Sequence, residues 1–179
     1  MAKDIVYFDL ETQRSANDVG GWNFKDRMGM SVGVTYSTAS GEYKMYAESE
    51  ANELIQQLLN ADLVVGYNHL YFDYAVLQGY YAFDILSQTN NLDMMVSIEK
   101  QCGIRPKLDS VAEASLGAGK TAEGLQAIKW WREGKLKEIA EYCAYDVKVT
   151  RYVHEYGVEN GFIKFKDKAG HDVKVDVPW

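Results

Sequence analysis

The sequence predicts a mixed α/β fold: a central five-stranded sheet, opened by a three-stranded antiparallel meander and continued by parallel strands, flanked by helices and followed by a C-terminal β-hairpin. Three observations predict it. Three β-rich runs precede the first helical pattern, helical and strand patterns then follow one another, and the tail alternates apolar and charged residues about a turn. The 179 residues are 47% apolar and 25% charged, with 13 Tyr, 6 Phe and 4 Trp, which suits one folded core and excludes a disordered chain. Residues 1–179 are read as one domain, with its core at 4–158 and the hairpin at 161–177.

Residues 4–11, Asp-Ile-Val-Tyr-Phe-Asp-Leu-Glu, have no polar face until their end and read as a strand buried on both sides. Strands at 30–37 and 42–47 flank Ala39-Ser40-Gly41, a hairpin turn signal. From Ser49, taken as an N-cap, helical spacing runs to Asn60, and 61–68 reads as a fourth strand. Helices are expected over 71–81, 92–102 and 107–116, a short strand or turn near 83–86, and a last long helix over about 135–158. In the tail, Phe-Ile-Lys-Phe-Lys and Asp-Val-Lys-Val-Asp-Val surround Asp167-Lys168-Ala169-Gly170, the pattern of a hairpin with one solvated face. No repeat, low-complexity tract or Pro-rich linker interrupts the chain.

The formal charge of −7 opposes simple phosphate neutralisation, yet it is unevenly spread. Residues 100–137 carry eight basic and four acidic side chains around Trp130 and Trp131, a combination that suits a nucleic-acid groove as well as it suits a solvated helical face over core tryptophans. Two cysteines, Cys102 and Cys143, with no CxxC, make neither a disulfide framework nor a Cys-rich zinc site and fit a reducing compartment. The N-terminus lacks a signal-peptide pattern and no stretch approaches the roughly 20 apolar residues that span a bilayer, so the expected location is cytoplasmic, away from the membrane.

Three constellations could carry chemistry. Asp9 and Glu11, two apart at the end of the first strand, project from one face. Alone they could be strand-end acids meeting solvent. Asn68-His69-Leu70-Tyr71-Phe72-Asp73 stands where the fourth strand passes into a helix, a place where an acid also complements the helix dipole. In the last helix, Leu136, Ile139, Ala140, Cys143, Val147 and Thr150 form an apolar stripe, with Tyr142 and Asp146 stacked on its flank.

In combination these motifs resemble the DEDD superfamily of 3′–5′ exonucleases, which has a ribonuclease H-like fold. The match lies in Asp-x-Glu ending the first strand, Asn-x-x-x-Phe-Asp at the fourth strand and Tyr-x-x-x-Asp in the last helix, over residues 5 to about 156. Tyr142 makes it similar to the tyrosine subgroup (DEDDy), since the position of the alternative His is occupied by Glu141. It looks closest to small exonuclease domains found alone or beside helicases. The resemblance implies phosphodiester hydrolysis with two Mg²⁺ or Mn²⁺ ions. Asp9 would bridge both ions, Glu11 and Asp146 would complete the site that activates water, Asp73 would support the second ion and Tyr142 would orient the water. Leu10, Thr12, Asn68 and Phe72 match positions lining the terminal nucleotide, with Leu10 and Phe72 equally natural as core. The implied partner is a nucleic acid with a single-stranded or frayed 3′ end, and the resemblance admits a helicase or other nucleic-acid-processing protein.

Other candidates are weaker. Gly117-Ala118-Gly119-Lys120-Thr121 ends like a phosphate-binding loop, but the first required Gly is Ala114, so Lys120 is kept only as a possible phosphate contact. His69, His154 and His171 form no metal-ligand spacing. Arg14 and Trp22 lie in the loop after the first strand, within reach of the expected site but in no motif. The alternatives to an exonuclease are a binding module of the same fold with decayed catalysis and a ribonuclease H-like endonuclease.

Overall fold

Strand β1 (Ile5–Thr12) is the middle strand of the sheet in the computed structural model, which describes residues 3–118 and 124–179. Short helix α1 (Ala16–Val19) follows it, and the chain returns as β2 (Met30–Ser37) and β3 (Glu42–Ala47), a meander with every pairing antiparallel. Helix α2 (Ala51–Asn60) leads to β4 (Leu63–Gly66), which pairs parallel with β1. Beyond α3 (Asp73–Leu77), β5 (Asn91–Asp93) closes the sheet parallel to β4, giving the order β3-β2-β1-β4-β5. Helices α4 (Met94–Cys102), α5 (Leu108–Leu116), α6 (Gly124–Arg132) and α7 (Leu136–Asn160) follow, and β6 (Phe162–Lys166) and β7 (Asp172–Asp176) form the expected hairpin.

Strand alternation divides the core in two. Val6, Phe8 and Leu10 point to the face covered by α2 and α3, packing on Leu54, Ile55, Leu58, Tyr74 and Val76. Tyr7 points the other way, with Val32, Val34 and Val65, onto α4 to α7 and the hairpin. Both faces of β1 are therefore apolar, which explains its unalternating sequence. Asp9 and Glu11 share the face of Tyr7 and so look toward α7.

Several boundaries differ from the sequence expectation, each for a physical reason. The fifth strand lies at 91–93 rather than near 83–86, because Asp93 caps α4 by accepting the Met95 and Val96 N–H groups and Asn91 and Leu92 are left extended beside β4. The helix expected over 71–81 is α3 followed by a 3₁₀ turn at Gln78–Tyr80. Ser49 does not cap α2; a 3₁₀ turn, Glu48–Glu50, precedes it, and the Glu50 carboxylate accepts from the Ala47 N–H at 2.9 Å. Helix α6 was absent from the expectation altogether. In α7 the buried stripe runs through Ile139, Cys143, Val147, Thr150 and Val153, while Leu136 is exposed and Ala140 half-buried. Among the described residues, no helix is long and apolar enough to cross a membrane.

Candidate active site

At the C-terminal end of β1 the sheet opens into a cleft of about 620 Å³. Its walls come from β1 (Asp9, Leu10, Glu11, Thr12), the following loop (Arg14, Ser15, Trp22), the β4–α3 turn (Tyr67, Asn68, Phe72, Asp73), α6 (Gly124, Leu125, Ile128) and α7 (Asp146). That size lies within the range of small-ligand sites, about 300–1,000 Å³.

Asp9, Glu11 and Asp146 each offer a carboxylate oxygen, and those oxygens lie within 4.8 Å of one another. Their convergence follows from local structure. Residues two apart on β1 share a face, and α7 is docked there by Cys143, whose buried thiol donates to the Asp9 carbonyl at 3.4 Å. One turn further along α7, Asp146 arrives beside them. The cost of this arrangement shows in the acids themselves. Burial, then Asp73, holds the Asp9 carboxyl well above the usual carboxylate range. Glu11 is raised in the same way by burial and by the negative charges of Asp9, Asp146 and Asp73. An all-oxygen set of desolvated acids with further negative charge around it fits a hard divalent cation. Asp9, Glu11 and Asp146 are thus the residues that could hold one.

Asp73 lies in the same cleft but outside that close trio. It is buried, accepts from the Leu10 N–H at 3.2 Å and is pushed up to about 7 by burial. Tyr142 lies beside the same acids, and burial together with the negative charges of Asp146, Glu11 and Asp9 keeps its hydroxyl protonated far above neutral pH. Trp130 packs edge-on against its ring at 6.2 Å between centroids. Leu10, Thr12, Asn68 and Phe72 all line the cleft, Leu10 being also a core residue of the α2 side. Lys120 lies outside the described residues.

The β4–α3 turn is built around Asp93. Its carboxylate accepts the N–H groups of Asn68 and Leu70 at 2.9 and 3.1 Å, and Asn68 adopts φ 62°, a left-handed conformation that Asn tolerates better than most residues. Arg105 donates to the Asn68 Oδ1 at 2.9 Å. Buried His69 fills the space under the turn, between Phe8 and Tyr74, with its Nε2 at 3.2 Å from the Asn91 Oδ1.

Among the described residues, the basic side chains of segment 100–137 do not line the cleft. Trp130 and Trp131 pack against the core, Lys135 and Lys137 pair with Glu133 and Glu141, and Arg132 reaches Asp18 at 2.9 Å, linking α6 to α1. The arginine that lines the cleft is Arg14, whose Nε donates to the Arg27 carbonyl. Trp22, Arg14, Ser15, Tyr67 and the α6 residues are among the cleft-lining residues that motif reasoning did not assign. Glycine at 124 and an apolar face around Ile128 were the available signals for α6, but neither is specific.

A search of curated proteins finds no significant match. The family model described as the RNase_H superfamily matches residues 6–158, from the first residues of β1 to nearly the end of α7. On that match the chain belongs to the RNase H superfamily, whose fold, with the acidic cluster of Asp9, Glu11 and Asp146, indicates a metal-dependent nuclease.

Proposed function

We propose that this protein is a 3′–5′ exonuclease of the tyrosine DEDD type, cleaving nucleoside monophosphates from a single-stranded or frayed end of DNA or RNA. The observation that carries this reading is the meeting of Asp9, Glu11 and Asp146 with a tyrosine hydroxyl that feels the negative charge of all three. Asp9, Glu11 and Asp146 would hold Mg²⁺ or Mn²⁺, with Asp73 behind them, and ions so held would supply charge neutralisation on the phosphate and an acidified water. Tyr142, protonated and beside the acids, would orient the attacking water by hydrogen bonding. Leu10, Thr12, Asn68 and Phe72 line the space for the terminal nucleotide, and Lys120 is assigned a phosphate contact. Residues 1–179 form one domain in this reading. It is supported by hairpin residues Ile163, Phe165 and Val175, which share the core of α5 and α7.

The test uses 5′-labelled DNA and RNA strands with Mg²⁺ or Mn²⁺ against chelator. A ladder that shortens from the 3′ end, lost in Asp146→Ala and reduced about 100-fold or more in Tyr142→Phe, is expected. Discrete internal cuts would assign an endonuclease, and binding without metal-dependent cleavage would assign a binding module.

A further inference from the structure

Trp22 is 65% exposed, yet nothing about its loop is loose. Ser15 caps α1 in a reciprocal pair with Asp18, and Gly20 and Gly21, at φ 96° and 126°, turn the chain sharply so that the indole starts a 3₁₀ segment, Trp22–Arg27. Phe24 lies on Gly20, Arg27 covers the Phe24 ring at 4.4 Å, and the Arg14 guanidinium is tied to the Arg27 carbonyl. Gly79 allows the Asp26 carbonyl to approach so closely that a Cβ there would meet it at 2.3 Å, which joins this segment to the end of α3. The indole is therefore held out of the core.

A single exposed aromatic carries no meaning by itself. Here the indole lines the same cleft as the three carboxylates, stands edge-on to half-buried Phe72 with centroids 6.4 Å apart, and shares that cleft with Leu125, itself 69% exposed. Arg14, the cleft's arginine, lies in the same wall and supplies the positive charge that a phosphate chain needs. The occupant that matches an open indole face, a nearby guanidinium and a cluster of acids on one continuous surface is an unpaired nucleobase with its phosphate. An aromatic face stacks on any base without reading its edge.

Resting on the exonuclease reading above, we propose that Trp22 is a base-stacking residue that selects single strands: it stacks on an unpaired base while the adjoining phosphodiester sits at Asp9, Glu11 and Asp146. A base still paired in a duplex has its faces covered by its neighbours and cannot offer one to the indole. Stacking of this kind is worth roughly tenfold in affinity per base.

The experiment compares oligothymidylate and oligouridylate with strands whose 3′-terminal residues are abasic, in wild type, Trp22→Ala and Trp22→Phe. Cleavage is followed with Mn²⁺, and binding by anisotropy of the 5′-labelled strands in Ca²⁺. Trp22→Ala is expected to raise KM and Kd for the intact strand about tenfold with kcat within twofold, to leave the abasic strand unchanged, and to be largely rescued by Trp22→Phe. An unchanged KM and Kd in Trp22→Ala, or an equal loss on the abasic strand, overturns the proposal. If wild type cleaves neither strand but binding shows the selective loss, the exonuclease reading fails while stacking stands. If cleavage proceeds and the selective loss is absent, stacking fails alone.

Discussion

Replacing Asp9 by Asn keeps the shape of the side chain and removes a buried negative charge that Asp73 and Glu11 oppose. Without metal the variant should be more stable than wild type by about 0.5–2 kcal/mol, the usual gain when a functional strain is relieved. Its nuclease activity should fall at least about 100-fold, and Mn²⁺ should raise the melting temperature of wild type but not of the variant. Melting curves in chelator and in Mn²⁺, with a cleavage assay, check all three; a Mn²⁺ shift retained in Asp9→Asn would remove Asp9 from the metal site. A second prediction concerns His154 of α7, which packs on Tyr7 on the same face of β1. Its Nδ1 lies 2.8 Å from the Tyr7 hydroxyl oxygen and burial lowers its pKa, so the unfolded chain takes up a proton first as pH falls. Its share of stability is complete above the unfolded value of about 6.5 and is lost as pH drops through the lowered folded value. Between pH 7.5 and 5.5 wild type should therefore lose more stability than His154→Gln. Taking the difference between the two cancels the opposite trend of the buried carboxylates.

The β4–α3 turn is the element most finely built. A Cβ at Gly66 would lie 2.6 Å from the His69 Nδ1, and the imidazole cannot retreat because Phe8 and Tyr74 wall it in at 5.8 and 5.1 Å between centroids. Gly66→Ala should cost about 1–3 kcal/mol of overpacking and lower activity with it, since Asn68, Phe72 and Asp73 all hang from this turn. Denaturant unfolding and the cleavage assay on one preparation test it; full activity would mean the turn does not position the site. The motif Asn-x-x-x-Phe-Asp was legible in the sequence because its residues are close together. Asp93, which holds the turn, was not, because its 25-residue separation from Asn68 is closed only when β5 pairs with β4. For the same reason β5 was read as the start of a helix: three residues carry no period, and their strand character comes from a neighbour.

At the scale of the molecule, the C-terminal hairpin is part of the core that carries α7. Ile163, Phe165 and Val175 are buried against α5 and α7, Ser115 and Ser110 bond its backbone, and Trp179 donates to the Ser97 Oγ at 2.8 Å. Each buried large side chain contributes about 1.5–3 kcal/mol, so removing residues 161–179 should take most of a typical stability of 5–15 kcal/mol. The truncated protein should show no cooperative melting transition. A sharp transition would mean that α7 is held without the hairpin. The net charge of −7 is also a property of the whole molecule, and four acidic side chains line one cleft.

What the sequence determined alone were the features set by short-range periodicity: the buried strand with both acids on one face, the meander, the long helix with Tyr142 beside Asp146, and the hairpin. The motif register also singled out Asp9, Glu11 and Asp146, whose carboxylates meet in the fold. Tertiary structure decided what depends on distant segments meeting: that Cys143 docks α7 on Asp9, that Asp73 turns inward to the Leu10 N–H, that the basic segment pairs its charges elsewhere, and that Trp22 stands open in the cleft. Side-chain period is a property of neighbours along the chain, whereas charge pairing and exposure are settled only when the folded surfaces face one another.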